Sequence, residues 1–217
     1  MKMLTKTLLA ATALTVLSGG AMAADLAAPP AAAPVVAPPA PGNWDGPYIG
    51  ANIGYGWGSA DNTNLANIDT SPAGFLIGGQ IGYNFHLSDN IVAGVEGNID
   101  WSDEQASGTP FSVTQRTNWD GNVVAKLGYD VDGFLPYIDA GIAFANTTRS
   151  STAGSSNVGL TGWTVGVGVE TMLADNLSGF ISYNYADYGT ATYTLGGLSP
   201  QVHVTDSIVK VGLNWHF

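Results

Sequence analysis

The chain has 217 residues and few charged side chains, 11% of the total, with six basic residues against 17 acidic ones. This length allows one domain with a tail, and the acidic balance excludes a nucleic-acid-binding surface, which needs basic residues to meet phosphates. The chain contains no cysteine, which excludes disulfides, thiolate metal sites and cysteine nucleophiles and suits an exported protein.

Residues 1–23 have the features of a secretory signal peptide. Two lysines precede an apolar run at 8–17, which is too short to cross a bilayer as a helix and is followed by an A-x-A site. We predict cleavage between Ala23 and Ala24.

Residues 24–43 hold six of the eleven prolines and a single charge. This composition predicts an extended, polyproline-like linker without a core of its own. We interpret it as a periplasmic spacer, and a contact with peptidoglycan remains open.

From Trp44 onward, apolar residues alternate with polar residues or glycine in segment after segment. The last segment shows the pattern most clearly, with Val209, Val211, Leu213, Trp215 and Phe217 on one face. Period-two alternation predicts strands with one apolar side. The eight predicted strands are about 47–58, 74–87, 91–103, 113–130, 134–148, 158–173, 177–187 and 204–217.

The apolar faces of all these strands need one common apolar surrounding, which a lipid bilayer supplies. Tight turns at 87–90, 130–133 and 174–176 alternate with longer connections at about 58–73, 103–112, 149–157 and 188–201. Residues 44–217 are therefore predicted to form an all-β fold, an eight-stranded antiparallel up-and-down transmembrane β-barrel. An even strand count predicts that both termini are periplasmic. The alternative fold, a soluble lipocalin-like barrel, would crowd the aromatic residues inside and turn the glycines to water.

Ten aromatic residues fall near the predicted strand ends in two groups, as expected for girdles at the two membrane interfaces. The group at the outer ends is Tyr55, Trp57, Trp101, Trp119 and Trp163. The group at the periplasmic ends is Tyr83, Phe85, Tyr129, Trp215 and Phe217.

Several stretches resemble the small outer-membrane β-barrel proteins of alphaproteobacteria, the outer-membrane immunogenic or porin-family proteins. They are the ADL start with its Ala/Pro-rich spacer, NWDGPYIGANIGYGWG, LPYIDAGIAF and VKVGLNWHF. The resemblance implies an abundant surface-exposed protein of the bacterial outer membrane, in contact with lipid and lipopolysaccharide. The terminal Phe217 resembles the signature through which such proteins reach the barrel-assembly machinery. The resemblance carries no catalytic residue, and some relatives are credited with passive diffusion or ligand capture.

The inward face of the predicted strands carries eight charged residues, which we expect to form a network in the lumen. They are Glu96, Asp100, Asp120, Lys126, Asp139, Glu170, Asp206 and Lys210. Side chains nearly fill an eight-stranded barrel, and a buried charge needs a partner or trapped water. The network is interpreted as a structural plug, and a narrow cation-selective conduit is the alternative.

No other constellation predicts catalysis or a cofactor. His203, Asp206 and Ser207 are close in sequence, but strand parity separates their faces, so no triad is expected. The three histidines lack metal-ligand spacing. Residues 130–133 begin like a calcium loop but lack the remaining ligands, and we interpret them as a turn. No enzyme activity, cofactor or metal is predicted.

Five acids in the predicted connections are expected to face outward, where they could hold divalent cations that bridge lipopolysaccharide. They are Asp61, Asp69, Asp103, Glu104 and Asp187. The predicted function is a non-enzymatic structural and surface role in the envelope. Two alternatives remain: a low-conductance porin-like diffusion channel for small solutes, and a surface module that binds a ligand or the host, as an adhesin or by haem capture.

Overall fold

The computed structural model describes residues 44–62, 71–108, 113–151, 154–192 and 201–217. The predicted signal peptide and linker lie outside this range. Within it, no helix is long and apolar enough to cross a membrane. The strands are β1 Gly46–Asn62, β2 Ala73–Ser88, β3 Ile91–Ser102, β4 Gln105–Gly108, β5 Val113–Tyr129, β6 Phe134–Ser151, β7 Gly154–Ala174, β8 Leu177–Thr192 and β9 Gln201–His216.

The strands form one closed antiparallel ring, because β1 pairs with both β2 and β9. The short β4 continues β3 in the same register against β2, as the pairs Leu76–Ser102 and Ala73–Gln105 show. β3 and β4 therefore count as one interrupted strand. The described strands form a ring of eight, and the predicted eight-stranded antiparallel barrel is confirmed.

The third strand of the ring is interrupted at Asp103 and Glu104, between β3 and β4. The facing strand β5 has a register shift between Thr117 and Trp119. Thr117 N–H donates to the carbonyl oxygen of Glu104 at 3.1 Å, so the interruption is fixed by the neighbouring strand. Such irregularities redirect a side chain at a barrel rim, and here the redirected side chain is that of Glu104.

The strands are staggered around the ring. Starting at Tyr48 and moving from each residue to its partner on the next strand, the path returns to β1 at Gly58, ten residues further along. The path passes through Gly82, Glu96, Val124, Gly141, Thr164, Ala186 and Asp206. A closed eight-stranded barrel with this stagger has strands tilted by about 40° and an interior that side chains can fill.

The apolar faces of the strands point away from the barrel axis over most of its height. On β2, Phe75, Ile77 and Ile81 are 62–74% exposed, while Gln80 and Asn84 on the opposite face are buried. This arrangement, apolar outside and polar inside, is the one that the alternation predicted, and it excludes the lipocalin-like alternative for this region.

One end of the barrel carries the short turns and the C-terminus, and we call it the turn end; we call the opposite end the loop end. At the loop end the strands continue further than predicted. β6 runs to Ser151 and β7 begins at Gly154, so the prediction of a connection at 149–157 was wrong. The reason is that Ser, Thr and Asn face outward here, which hides the alternation.

We call this part of the barrel at the loop end, where β6 runs to Ser151 and β7 begins at Gly154, the collar. Its polarity is the reverse of that of the rest of the barrel. On its outer surface Asn146 and Asn157 exchange side-chain hydrogen bonds of 2.9 and 3.0 Å, and Asn157 also donates to Thr148 at 3.0 Å. The inside of the collar is an apolar cluster of Ala60, Ala143, Ala145, Leu160, Ala186, Tyr188, Ala191, Val202 and Val204. Polar outside and apolar inside is the pattern of a sheet that stands in water.

The turn between β5 and β6 is a tight local structure. Asp130 Oδ1 accepts a 3.0 Å hydrogen bond from Gly133 N–H, and Val131 pairs with Phe134 across the turn. The Asp130 side chain is therefore used to close the turn, in agreement with the interpretation of 130–133 as a turn.

Candidate functional site

The lumen contains a group of buried charges centred on Lys126. Lys126 Nζ lies 3.1 Å from Glu96 Oε2 and 3.4 Å from Glu170 Oε2, and the three side chains come from β5, β3 and β7. The Lys126 side chain is 5% exposed. Its ammonium group also lies 4.3 Å from the centre of the Tyr137 ring, a cation–π contact that is strongest where water is excluded.

Tyr48 links this group to the first strand. Its hydroxyl donates to Glu96 Oε2 at 2.5 Å, and its ring centre is 5.4 Å from Lys126 Nζ. The ring lies flat over Gly82 on the adjacent strand, where any Cβ would overlap the ring atoms. Glycine at this position is therefore required by the close approach of the tyrosine. Glu96, Lys126, Glu170, Tyr48 and Tyr137 together form what we call the ion-pair layer.

Glu170 is completely buried, and hydrogen-bond donors lie around its carboxylate. Ser178 Oγ donates to Glu170 Oε1 at 2.5 Å, and Asn214 Nδ2 donates to the same oxygen at 2.7 Å. His216 Nε2 is 2.9 Å from Ser178 Oγ and 3.5 Å from Glu170 Oε1. A buried carboxylate is tolerated when its oxygens are hydrogen-bonded in this way.

A chain of amide side chains closes the remaining part of the cross-section. Asn52 Nδ2 donates to Gln80 Oε1 at 2.8 Å, and Gln80 Nε2 donates to Asn214 Oδ1 at 2.7 Å. These bonds join the adjacent strands β2, β1 and β9 on one side of the lumen, and Asn214 connects them with Glu170 on β7. The ion-pair layer and the amides therefore bridge the barrel from wall to wall.

Below the ion-pair layer, at the turn end, Trp44 lies inside the barrel. It is fully buried against Val92, Leu135 and Met172, and its ring meets that of His216 edge-on at 5.8 Å. We call these four apolar residues the plug. Its position on the N-terminal side of β1 means that the chain enters the barrel wall from inside the turn end.

A second group of charges lies nearer the loop end, and we call it the acid cluster. Lys210 forms a direct ion pair with Asp100. Asp120 is the cross-strand partner of Asp100, and Asp206 is the partner of Gly58 on β1. The eight predicted lumen charges thus divide between two levels, except Asp139, which accepts a 2.8 Å hydrogen bond from Asn184. All eight lie on the inward face of the strands.

Glu104 is part of the acid cluster, and here the sequence-based expectation was wrong. Glu104 was expected to face outward from a loop, but the structure buries it to 1% exposure. Asp120 and Asp206 repel it electrostatically. The interruption between β3 and β4 turns the Glu104 side chain into the lumen. The alternation of residues along the strand does not reveal this placement.

The other acids of that set take different positions. Asp61 is exposed and accepts a 2.9 Å hydrogen bond from Ser59, and Asp103 forms an exposed ion pair with Arg116 at 2.9 Å. Asp187 Oδ1 lies 3.5 Å from His203 Nε2. Asp69 lies outside the described residues.

The structure does not bring His203, Asp206 and Ser207 together. Asp206 is inside the barrel, whereas Ser207 is on the outer face, 3.2 Å from the Tyr183 hydroxyl. Among the described residues, no three acidic or histidine side chains are placed to ligate a metal ion directly. The chemistry of the lumen is therefore that of paired charges and hydrogen bonds.

All ten aromatic residues of the two predicted girdles are on the outer face, with 40–71% of their surface exposed. Three of them are in ring contact with an aromatic residue outside this set of ten: Trp57 with Tyr183 at 6.2 Å, Tyr55 with Phe75 at 5.2 Å and Trp163 with Tyr185 at 5.7 Å. Trp44 and Tyr48 also lie in the lumen, a position that was not predicted for either of them. Tyr48 has the inward parity of β1, a usable signal, whereas Trp44 precedes the strand.

The whole barrel matches one protein family. The model of the family described as "Outer membrane protein beta-barrel domain" matches residues 9–217. The 25 kDa outer-membrane immunogenic protein of Brucella abortus biovar 1 is 33% identical over 175 residues, which cover 81% of this chain and 80% of that protein. The 22 kDa outer membrane protein of Rhizobium leguminosarum bv. viciae is 32% identical over 179 residues, covering 81% and 79%.

Two solved structures share the fold. Neisserial surface protein A superposes with a TM-score of 0.52 at 17% identity, covering 80% of this chain and 98% of that one. The outer membrane protein OprG from Pseudomonas aeruginosa gives 0.53 at 15% identity, covering 82% and 99%. At such identities the likeness concerns the fold alone.

Proposed function

The chain belongs to the family of outer-membrane β-barrel proteins, and from that premise we propose that it is a non-enzymatic structural and surface component of the bacterial outer membrane whose lumen does not conduct. The observation that carries this proposal is the filling of the lumen. The plug lies at the turn end, and the ion-pair layer together with the amide chain of Asn52, Gln80 and Asn214 bridges the lumen beyond it.

A diffusion channel would need a continuous polar path, and two features oppose it. Lys126 is held by two carboxylates and two aromatic rings, so moving it aside would leave charges buried without partners. The fully buried Trp44 then closes the turn end with an apolar surface. Ions do not cross such a surface without a high desolvation cost.

The proposed orientation places the collar outside the cell and both termini in the periplasm. The polar outer surface of the collar supports this orientation, since it suits water beyond the membrane, whereas the turn end has only short connections. Short periplasmic turns are the rule in transmembrane barrels. In this orientation the collar and the four connections at the loop end, of which the one between β6 and β7 is short, form the exposed surface and carry any contact with a host.

Cysteine labelling tests the orientation cleanly, because the chain has no cysteine of its own. We expect Ser155→Cys, at the loop end, to react with a membrane-impermeant maleimide in intact cells. Asp175→Cys, in the turn between β7 and β8, should react only after the outer membrane is broken. Both positions are exposed, so the reverse labelling pattern would refute the orientation.

The proposed partners follow from the outer surface. The apolar band contacts membrane lipid, and the polar collar meets lipopolysaccharide.

Phe217 is 71% exposed, and its backbone N–H donates to the Pro47 carbonyl at 3.1 Å, so the terminal side chain stays available to the barrel-assembly machinery. The test of this contact is Phe217→Ser, which should lower the amount of folded barrel in outer membranes without altering refolding in detergent. A peptidoglycan contact would belong to the linker.

The envelope role is tested in cells that lack this chain. We expect such cells to become more sensitive to detergent and to large antibiotics, with no change in the uptake of small solutes. The wild-type chain should restore resistance, and so should the girdle control Trp119→Phe. Normal envelope resistance together with slower solute uptake would contradict the structural role and favour the channel.

A further inference from the structure

The acid cluster contains more carboxyl groups than the described basic residues around it can pair with. Lys210 pairs with Asp100, but no salt bridge joins Glu104, Asp120 or Asp206 to a basic side chain in the described part of the chain. These three carboxyl groups are 1%, 4% and 8% exposed. Carboxylates buried at this depth are unstable unless a counter-charge accompanies them.

The hydrogen bonding of the acid cluster is also incomplete. Asp100 Oδ1, Glu104 Oε1 and Asp120 Oδ2 are buried and have no hydrogen-bond partner among the described residues. In the ion-pair layer, by contrast, Glu96 and Glu170 each accept hydrogen bonds from several donors. Buried polar atoms are normally paired, so three free carboxylate oxygens at one level of the lumen point to a missing partner.

The chain places Glu104 in this position by specific means. Ser102 Oγ accepts a 3.2 Å hydrogen bond from Glu104 N–H, and Thr117 N–H binds the Glu104 carbonyl. On β1, Gly56 leaves the space that the Glu104 carboxylate occupies, because a Cβ there would overlap Glu104 Oε1. A strand break and a glycine thus combine to bring a further acid toward acids that already repel it.

We propose that the acid cluster binds one divalent cation that keeps part of its water shell. Two positive charges would offset most of the charge on Glu104, Asp120 and Asp206, and the free oxygens supply acceptors for the ion and its water. The carboxylates are not close enough for three of them to ligate a metal directly. Mg²⁺, which usually retains several waters and binds through one or two carboxylates, fits such a site.

The proposal is tested by thermal unfolding of the mature protein, refolded without lipopolysaccharide in a zwitterionic detergent. After chelation, Mg²⁺ is added at constant ionic strength and circular dichroism follows unfolding. We expect the melting temperature of the wild type to rise with Mg²⁺ concentration, since binding to the folded state stabilises it. In Glu104→Gln/Asp120→Asn the Mg²⁺ concentration that gives half of the effect should increase at least tenfold.

The matched control is Asp103→Asn, which removes the exposed acid next to Glu104 and should respond to Mg²⁺ like the wild type. A wild type whose melting temperature ignores Mg²⁺ would overturn the proposal. An equal response in Glu104→Gln/Asp120→Asn would overturn it as well, because the ion would then bind elsewhere. If that variant fails to fold, electron paramagnetic resonance with Mn²⁺ is measured on the wild-type protein instead. One bound ion per chain is expected, and the absence of a bound ion would contradict the site.

Discussion

Replacing Lys126 with methionine is expected to lower the free energy of unfolding by about 3–5 kcal/mol, the usual loss when one partner of a buried ion pair is removed. Methionine keeps most of the volume of lysine but leaves Glu96 and Glu170 buried without their cation. Glu170 is completely buried and Lys126 is 5% exposed, so water cannot replace the lost charge. Urea unfolding of the barrel in lipid vesicles, followed by circular dichroism, measures the loss.

A double-variant comparison separates the ion pair from the packing of the side chain. Glu96→Gln/Lys126→Met removes one stranded carboxylate together with the amine, so we expect it to be more stable than Lys126→Met alone. Arg116→Met is the exposed control: its pair with Asp103 is more than half exposed on both sides, and its loss should be at most about 1 kcal/mol. Equal losses in Lys126→Met and Arg116→Met would refute the ion-pair layer as a stabilising element.

Replacing Trp44 with alanine is expected to cost about 3–5 kcal/mol, the range for removing a large buried aromatic side chain. The cavity would lie between Val92, Leu135 and Met172 and would expose His216 to the turn end. Gel mobility after heating measures the loss without relying on tryptophan fluorescence, which the substitution itself alters.

Trp44→Phe is the matched variant for the plug. The indole nitrogen of Trp44 has no hydrogen-bond partner among the described residues, so phenylalanine gives up little besides volume. We expect it to retain most of the stability that alanine loses. If Trp44→Ala unfolded like the wild type, the plug would contribute nothing and the turn end would be open in solution.

The sequence predicted the ring because the strand signal is local. Alternation of apolar and small or polar residues fixes which face meets lipid, and Asp, Asn and Gly mark the turns at 87–90, 130–133 and 174–176. Parity also placed Glu96 and Lys126 on the inward face. Their contact depends on the stagger of the strands, which only the register reveals.

The features that the sequence did not predict depend on contacts between distant strands. Glu104 turns inward because β3 stops at Ser102 opposite an irregularity in β5, and neither event has a signal in a loop rich in small polar residues. Trp44 precedes the first strand, so no periodicity applies to it. The collar was missed because its apolar residues face inward, and the reversal of the pattern looks like a loop when read along the chain.

Single-channel conductance in planar bilayers shows directly whether the lumen is closed. The mature protein is refolded, its folded state is verified by gel mobility, and the current is recorded beside the Glu96→Gln/Lys126→Met variant. No steady channels are expected from the wild type, because the ion-pair layer and the plug span the barrel. Steady wild-type channels whose size or ion selectivity changes in the variant would contradict a closed lumen and make it a conduit.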